Sequence, residues 1–188
     1  MDEDLKKCSK CKMECLKLNF YKDITRKDGL RIYCKSCTNQ HHNNRKEQRN
    51  AYEKQKRKTD LNFKLASYMR NRLYKAYISQ NLKKTNKTID LVGCSLEFFK
   101  KWILHQLSGE MTEENYGKIW CLDHCFPLSK TNLSDQNEVN KSTNWINLRP
   151  MYCSENISKG NKIDHRLYLM QEIKANYFTK LNGQEGLN

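Results

Sequence analysis

Trp120-Cys121-Leu122-Asp123-His124-Cys125-Phe126-Pro127-Leu128 is the stretch from which the fold of the carboxyl half can be argued. The apolar run Ile119–Leu122 predicts a buried strand. Neighbouring side chains on a strand point to opposite sides, so Asp123 and His124 can act together only where the strand ends and bends. Pro127 is compatible with such a bend. The stretch therefore predicts an Asp-His pair at the end of a buried strand.

Such a pair suits phosphodiester hydrolysis. A histidine titrates near neutral pH and can take the proton of an attacking water. A hard divalent ion held by oxygen ligands can stabilise the phosphorane and the leaving oxygen. Asp123 and the amide oxygen of Asn156 are the candidate ligands. A lone Asp-His pair is a weak signal, and Pro127, Asn147 and Asn156 at their spacings strengthen it, although Asn147 could cap a turn and Asn156 could be an ordinary helix residue.

The surrounding segments predict helices around two strands. Trp145–Arg149 predicts the second strand, which ends at or just before Pro150. Residues 39–58 predict an exposed helix or a linker, and residues 80–90 a turn. Two further helices are predicted with N-caps, one over 60–79 that begins after Asp60 and one that begins after Ser95 and stops at Gly109. A short helix is predicted over 154–161. The last predicted helix covers 164–181, and its apolar face consists of Leu167, Met170, Ile173, Tyr177 and Leu181.

The amino-terminal segment has the spacing of a metal module. Cys8-Ser9-Lys10-Cys11 and Cys34-Lys35-Ser36-Cys37 are two Cys-x2-Cys pairs separated by 22 residues. Four thiolates complete a tetrahedral, structural zinc site. A module of this size buries little core, so metal binding would supply its folding free energy. Cys15 is left as a free thiol, and Asp28-Gly29 predicts a hairpin turn between the pairs.

The remaining cysteines and histidines have two interpretations each. Cys94, Cys121, Cys125 and Cys153 could bind a second zinc, but their spacing is poor for a zinc ribbon and favours small buried thiols. We expect His105 and His165 to be surface or core-edge residues rather than ligands. His41 and His42 could contact phosphates.

The positive charge is concentrated in the first half of the chain. Residues 1–40 carry ten Lys/Arg and six Asp/Glu, residues 41–90 carry fourteen and four, and residues 91–188 carry eleven of each. Such a basic stretch predicts a polyanionic partner, foremost DNA. A membrane surface is a less suitable partner, because residues 41–58 contain few large apolar side chains that could insert into it. Candidates for phosphate contacts, with solvated surface charge as the alternative, are Arg45, Arg49, Arg70, Arg72, Arg149, Lys159 and Lys162.

The chain has no apolar run near 18 residues, and it opens with the polar Met1-Asp2-Glu3-Asp4. An odd number of cysteines, nine, also argues against a full disulfide framework. We therefore expect an intracellular protein with reduced thiols, in a host cytoplasm or in the nucleus of a eukaryotic host.

Several segments between residues 60 and 165 resemble the HNH (ββα-metal) endonucleases of phages, large DNA viruses and mobile elements. They are Leu91–Ser95, Trp102, 109–117, 120–128, Asn147–Met151 and Glu155–Gly160. The zinc module is similar to that of the endonuclease VII group. The resemblance implies two antiparallel strands and a helix around one Mg²⁺ or Mn²⁺. It implies His124 as general base, Asn147 as the residue that braces the loop and orients the histidine, and Asn156 as metal ligand beside Asp123. Many members have histidine at that last position, so this chain is an H-N-N variant, and asparagine suits Mg²⁺.

The sequence thus predicts an α+β fold with a zinc module (1–40), a basic helical connector (41–90) and an HNH nuclease domain with flanking helices (91–188). The predicted function is a metal-dependent DNA endonuclease, homing- or restriction-like, that cuts at a specific sequence or nicks. The alternatives are a junction-resolving nuclease of endonuclease VII type and a non-catalytic, zinc-dependent DNA-binding protein. A homodimer would suit a palindromic target or a junction.

Overall fold

The computed structural model describes residues 4–183. Its contacts divide the chain into two compact units, Met1–Lys58 and Thr59–Asn188. The described residues form seven α-helices and three antiparallel strand pairs, so the helices and strands expected of the predicted α+β fold are confirmed. The boundary between the units lies inside the segment 41–90 that was predicted to be a connector.

The first unit contains two short hairpins and one long helix. Its elements are β1 (Leu5–Lys7), β2 (Glu14–Leu16), β3 (Phe20–Lys22), β4 (Leu30–Cys34) and α1 (Lys35–Thr59), with β1 paired to β2 and β3 paired to β4. The predicted turn at Asp28-Gly29 is confirmed, since Gly29 ends the β3–β4 connection with a φ of 68° that suits glycine. The segment predicted as an exposed helix or a linker is helical within α1.

The second unit places one strand pair among helices. Its elements are α2 (Leu61–Ser79), α3 (Thr88–Val92), α4 (Leu96–His105), β5 (Trp120–His124), α5 (Gln136–Thr143), β6 (Leu148–Tyr152), α6 (Cys153–Lys159) and α7 (His165–Asn182). The predicted caps are confirmed, because Asp60 accepts from the Phe63 N–H at 3.0 Å and Ser95 accepts from the Phe98 N–H at 3.2 Å. The predicted turn at 80–90 is wrong from Thr88 onward, where α3 begins.

The second strand lies later in the chain than predicted. Trp145–Asn147 forms a 3-10 turn, and β6 begins only at Leu148. Pro150 does not end this strand but lies in its middle, opposite Leu122 of β5. Each strand of a two-stranded pair keeps one free edge, where a missing N–H is tolerated.

An aromatic core holds the strand pair in place. Phe98 and Trp102 of α4 contact Trp145 edge to face, with ring centroids 5.1 Å apart in both pairs. Both α4 aromatics also contact Phe178 of α7. The Trp102 indole N–H donates to the Leu148 carbonyl at 2.9 Å, so the core is tied directly to β6. This packing leaves the carboxyl end of β5 as the place where polar side chains collect.

The predicted helix over 164–181 is confirmed by α7, but most of the apolar face that was predicted for it does not face the core. The buried residues of α7 are Gln171, Ala175 and Phe178. Of the five residues predicted for the apolar face, Leu167 is half-buried, and the other four are exposed, with fractions of Met170 53%, Ile173 63%, Tyr177 59% and Leu181 60%. The helix therefore carries apolar side chains on two faces, and packing against α4 selects the one with Phe178.

Truncation of the two faces should have unequal effects. We expect Phe178→Ala to lower the free energy of unfolding by about 3–5 kcal/mol, because it leaves a cavity in the aromatic core. Ile173→Ala on the exposed face should change it by less than about 0.5 kcal/mol. Urea denaturation followed by tryptophan fluorescence measures both, and equal losses would contradict this assignment of the buried face.

None of the helices among residues 4–183 is both long and apolar enough to cross a membrane.

Candidate functional site

Four cysteine side chains converge in the first unit. The Sγ atoms of Cys8, Cys11, Cys34 and Cys37 all lie within 4.8 Å of one another. Tetrahedral Zn–S bonds of about 2.3 Å require sulfur atoms about 3.8 Å apart, so the cluster could hold a metal such as zinc. Within residues 4–183 it is the only group of three or more potential His, Cys, Asp or Glu ligands close enough to share an ion.

The backbone around Cys8 prepares it as a ligand. The Lys12 N–H donates to the Cys8 carbonyl at 2.9 Å, which closes a tight turn in which Lys12 has a φ of 63°. The Cys34 N–H donates to the Cys8 sulfur at 3.3 Å. Burial raises the pKa of Cys8, but N–H donors from Cys34, Cys11 and Lys10 outweigh it and lower the pKa to about 6. The thiolate is the form that binds a metal.

The other four cysteines of the second unit do not form a metal cluster of three or more among the described residues. Cys94 and Cys125 are buried, which raises their pKa values to about 12 and about 11 and keeps both as thiols. The prediction of small buried thiols is confirmed for these two. Cys121 and Cys153 are only half-buried, so the prediction is wrong for them.

The predicted Asp-His pair lies at the end of β5. The register places Asp123 opposite Arg149 and His124 opposite Leu148. His124 is the last residue of the strand, as the sequence predicts. Both side chains are buried, with 5% exposure at Asp123 and 2% at His124.

Two cations hold the Asp123 carboxylate. Arg149 Nε lies 3.1 Å from Oδ2, and Lys159 Nζ lies 2.7 Å from Oδ1. The same ammonium group donates to the His124 carbonyl at 2.6 Å. Both cations were predicted to bind phosphate, and in this conformation they neutralise a buried carboxylate that would otherwise be costly.

The His124 imidazole is buried without compensation. Among the described residues, neither ring nitrogen has a hydrogen-bond partner. Burial, together with the positive charges of Arg72 and Lys159, lowers its pKa to about 3. The ring is therefore neutral near pH 7. Unsatisfied buried polar groups are rare in native structures, and an ordered water, a bound ion or a catalytic role can account for one.

Asn147 holds the loop that follows the histidine. Its side chain is fully buried. Its Oδ1 accepts from the Phe126 N–H at 2.7 Å, and its Nδ2 donates to the carbonyls of Phe126 at 3.0 Å and Ser142 at 2.6 Å. The Asn147 carbonyl also accepts from the Cys125 N–H at 2.9 Å. These contacts fix the backbone immediately after His124.

Loss of this side chain should be costly. We expect Asn147→Ala to lower the free energy of unfolding by about 2–4 kcal/mol, because it leaves backbone groups of Phe126 and Ser142 unsatisfied. Urea denaturation measures the effect. Asn140→Ala, on the exposed side of α5, is the matched control and should change little; a loss as large as that of Asn147→Ala would show that the contacts of Asn147 add no particular stability.

Asn156, the predicted second ligand, is on α6 beside β5. Its Nδ2 donates to Cys121 Sγ at 3.0 Å, so its carbonyl oxygen faces away from that thiol. The remaining predicted phosphate contacts lie on the surface. The exposed side chains are those of Arg45, Arg49, Arg70, Arg72 and Lys162. Of these, Arg49 has its Nε atom 4.0 Å from Glu53 Oε1.

Helix α2 contributes two residues near the Asp123-His124 pair that were not predicted to lie there. The Tyr68 hydroxyl donates to the Leu122 carbonyl at 2.8 Å, two residues before His124. Arg72, one turn further along, has its guanidinium 5.9 Å from the Tyr68 ring. Arg72 was predicted only as a general phosphate contact, because no local pattern indicates which strand α2 packs against.

Two uncharacterized proteins of Acanthamoeba polyphaga mimivirus are similar to this chain. One is 32% identical over 142 residues, which is 76% of this chain and 60% of the relative. The other is 28% identical over 200 residues and covers 86% of this chain and 87% of the relative. No family model matches the chain, and no solved structure does.

Proposed function

We propose that this protein is a metal-dependent DNA endonuclease of the HNH type. The observation that carries the proposal is the buried, neutral and unpartnered imidazole of His124, adjacent to Asp123 at the end of β5 in the described part of the chain. The order of elements supports the proposal, because the antiparallel strands β5 and β6 are followed by the helix α6, as the resemblance implies. Asn147 braces the loop after His124, which is the part that the resemblance assigns to it.

The donor set suits a hard divalent ion. Asp123 offers a carboxylate, and Asn156 offers an amide oxygen that is not turned toward Cys121. Such oxygen ligands favour Mg²⁺ or Mn²⁺ over softer metals. When bound, the ion supplies Lewis-acid stabilisation of the phosphate and of the leaving oxygen. Arg149 and Lys159 compete with it for the Asp123 carboxylate, which they contact at 3.1 Å and 2.7 Å.

The chain's own residues account for proton transfer and for substrate charge. In this proposal His124, whose ring nitrogens make no hydrogen bond within the described residues, accepts the proton of the attacking water. The charge of Arg72 acts on the imidazole, so Arg72 is placed to offset the negative charge that develops on a phosphate beside it. Lys159 is held by Asp123. The excess of ten positive charges in residues 41–90 supports DNA as the substrate.

Cleavage of supercoiled plasmid tests the proposal. We expect nicked or linear product with added Mg²⁺ or Mn²⁺, and none when the divalent ion is left out. Omission is preferable to a chelator, because a chelator would also remove zinc from the four-cysteine cluster. Asp123→Asn should abolish the response to the added ion, whereas Asp135→Asn, on the exposed N-cap of α5, should leave it intact.

A narrower version of the function is favoured by the four-cysteine cluster that precedes the nuclease site, as in the endonuclease VII group. A four-way junction in the same assay distinguishes it, since a junction-resolving enzyme cuts the branched substrate in preference to linear duplex. Failure to cut either substrate, with salt-dependent DNA binding retained, would contradict the nuclease proposal and leave a zinc-dependent DNA-binding protein.

A further inference from the structure

An open pocket of about 320 Å³ lies on the first unit, and none of the four cluster cysteines lines it. Two strands and one helix contribute to it. It is lined by Tyr21, Lys22, Arg31, Thr38, Asn39 and His42.

The lining is cationic. Lys22 and Arg31 carry fixed positive charge, and His42 adds an imidazole that can donate. No carboxylate is among the lining residues of this pocket in the described part of the chain. The β3–β4 connection carries two acids. Asp28 is neutralised by Lys6 at 2.6 Å, whereas Asp23 is bound by the neutral Thr25 hydroxyl at 2.6 Å and interacts electrostatically with Arg31 of the pocket. The pocket thus presents donors to whatever enters it.

Of the neutral lining residues, Asn39 keeps a donor for a ligand, whereas the Thr38 hydroxyl already donates to the Cys34 carbonyl at 3.0 Å. The Tyr21 hydroxyl donates to Asn39 Oδ1 at 3.1 Å. Because this contact uses the acceptor end of the amide, Asn39 is left with its NH₂ group for a ligand. Lys35 Nζ lies 5.7 Å from the Tyr21 ring and helps to keep that ring in place. An anion with several acceptor oxygens matches this set.

The pocket continues into one face of α1. His42, Arg45 and Arg49 are at i, i+3 and i+7, so they share a face that runs about 10 Å along the helix. All three side chains are exposed. A chain of phosphates that starts in the pocket would meet further cations along this face.

We propose that this pocket binds one phosphodiester phosphate of the DNA backbone and that the same strand continues along Arg45 and Arg49. The choice of DNA rests on the proposed function, whereas the binding itself is measured without cleavage. An occupied pocket would place DNA against the first unit through its backbone, independently of base sequence.

The test is the salt dependence of DNA affinity for the full chain. Fluorescence anisotropy with a labelled duplex, and no added Mg²⁺ or Mn²⁺, yields Kd at several NaCl concentrations. We expect the double variant Lys22→Gln, Arg31→Gln to weaken Kd by about tenfold and to reduce the slope of log Kd against log[NaCl] by about 1, as for the loss of one phosphate contact. Competition by inorganic phosphate at constant ionic strength should weaken DNA binding by the wild type more than by the variant.

The matched control removes the same charge elsewhere on the unit. Lys7 and Lys27 are both exposed and lie outside the pocket, so Lys7→Gln, Lys27→Gln should leave the slope nearly unchanged. Zinc content near that of the wild type verifies that each variant is folded. Equal losses in the two double variants would overturn the proposal, since they would show diffuse electrostatics rather than a pocket.

The proposal and the nuclease function fail in different ways. A protein that binds DNA through the pocket but cuts no substrate would retain this inference and lose the nuclease. A protein that cuts DNA while the pocket and control variants bind alike would do the reverse.

Discussion

Replacement of His124 by alanine is expected to slow plasmid nicking by about 10²–10⁴-fold, the usual contribution of a general base. The physical reason is that neither ring nitrogen of His124 has a hydrogen-bond partner among residues 4–183, so that one of them is free to take the proton of the attacking water. Water or buffer cannot replace a base that the fold holds in place. Rates of conversion of supercoiled to nicked plasmid, with Mg²⁺ or Mn²⁺, measure the effect.

Two further measurements make this result specific. DNA affinity of His124→Ala should stay within about twofold of the wild type, because charge contacts dominate binding and the neutral imidazole contributes none. His165→Ala, which removes an exposed histidine at the start of α7, should cut at the wild-type rate. Unchanged cleavage by His124→Ala would exclude this residue as the base and remove the main support for the nuclease.

Loss of one cluster thiolate should unfold the first unit and leave the second unit folded. We expect Cys8→Ser to reduce bound zinc from about one ion per chain to none, since structural zinc contributes about 10–16 kcal/mol to the folding of small modules. Elemental analysis measures the zinc. Amide hydrogen exchange should show protection lost across β1–β4, whose own core is limited to a few side chains around Phe20 and three of the cysteines.

The chain offers internal controls for this second prediction. Cys15→Ser removes a half-buried thiol that packs beside the cluster without belonging to it, so zinc content should be unchanged. Trp102, Trp120 and Trp145 all lie in the second unit, and these are the three tryptophans of the chain. Their fluorescence should therefore stay native in Cys8→Ser. Zinc retained in Cys8→Ser but lost in Cys15→Ser would show that the ligand set is wrong.

Much of the fold could be predicted from local sequence. Asp60 and Ser95 start α2 and α4 as predicted, because a side-chain cap satisfies backbone N–H groups only two or three residues away. The two Cys-x2-Cys pairs indicate a shared ion for a similar reason, since each pair brings two sulfur atoms together within one turn. The Asp28-Gly29 turn depends on one residue that accepts a positive φ. Each of these features is decided over a few residues.

The predictions from sequence were wrong where contacts between residues distant in the sequence determine the local structure. Residues 145–147 have the composition of a strand, yet they form a 3-10 turn because Asn147 is needed inside, against Phe126 and Ser142. In α7 the more apolar face is exposed, and Ala175 and Phe178 are buried because α4 supplies aromatic partners on that side. Helix α5 is polar over most of its surface, so it lacks an apolar period that would predict it.

The candidate site likewise has some features that local sequence predicts and others that depend on tertiary packing. The sequence by itself determined which residues are candidates for metal binding and catalysis, because the Asp123-His124 pair and the two Cys-x2-Cys pairs are recognisable at short spacings. Only the tertiary structure decided that His124 is buried without a partner among residues 4–183 and that Asp123 is held by Arg149 and Lys159. Those two ion pairs join residues 26 and 36 positions apart, and the Tyr68 contact with β5 spans 54. Contacts at such separations depend on how the helices pack around β5 and β6, and no local pattern in the chain encodes that packing.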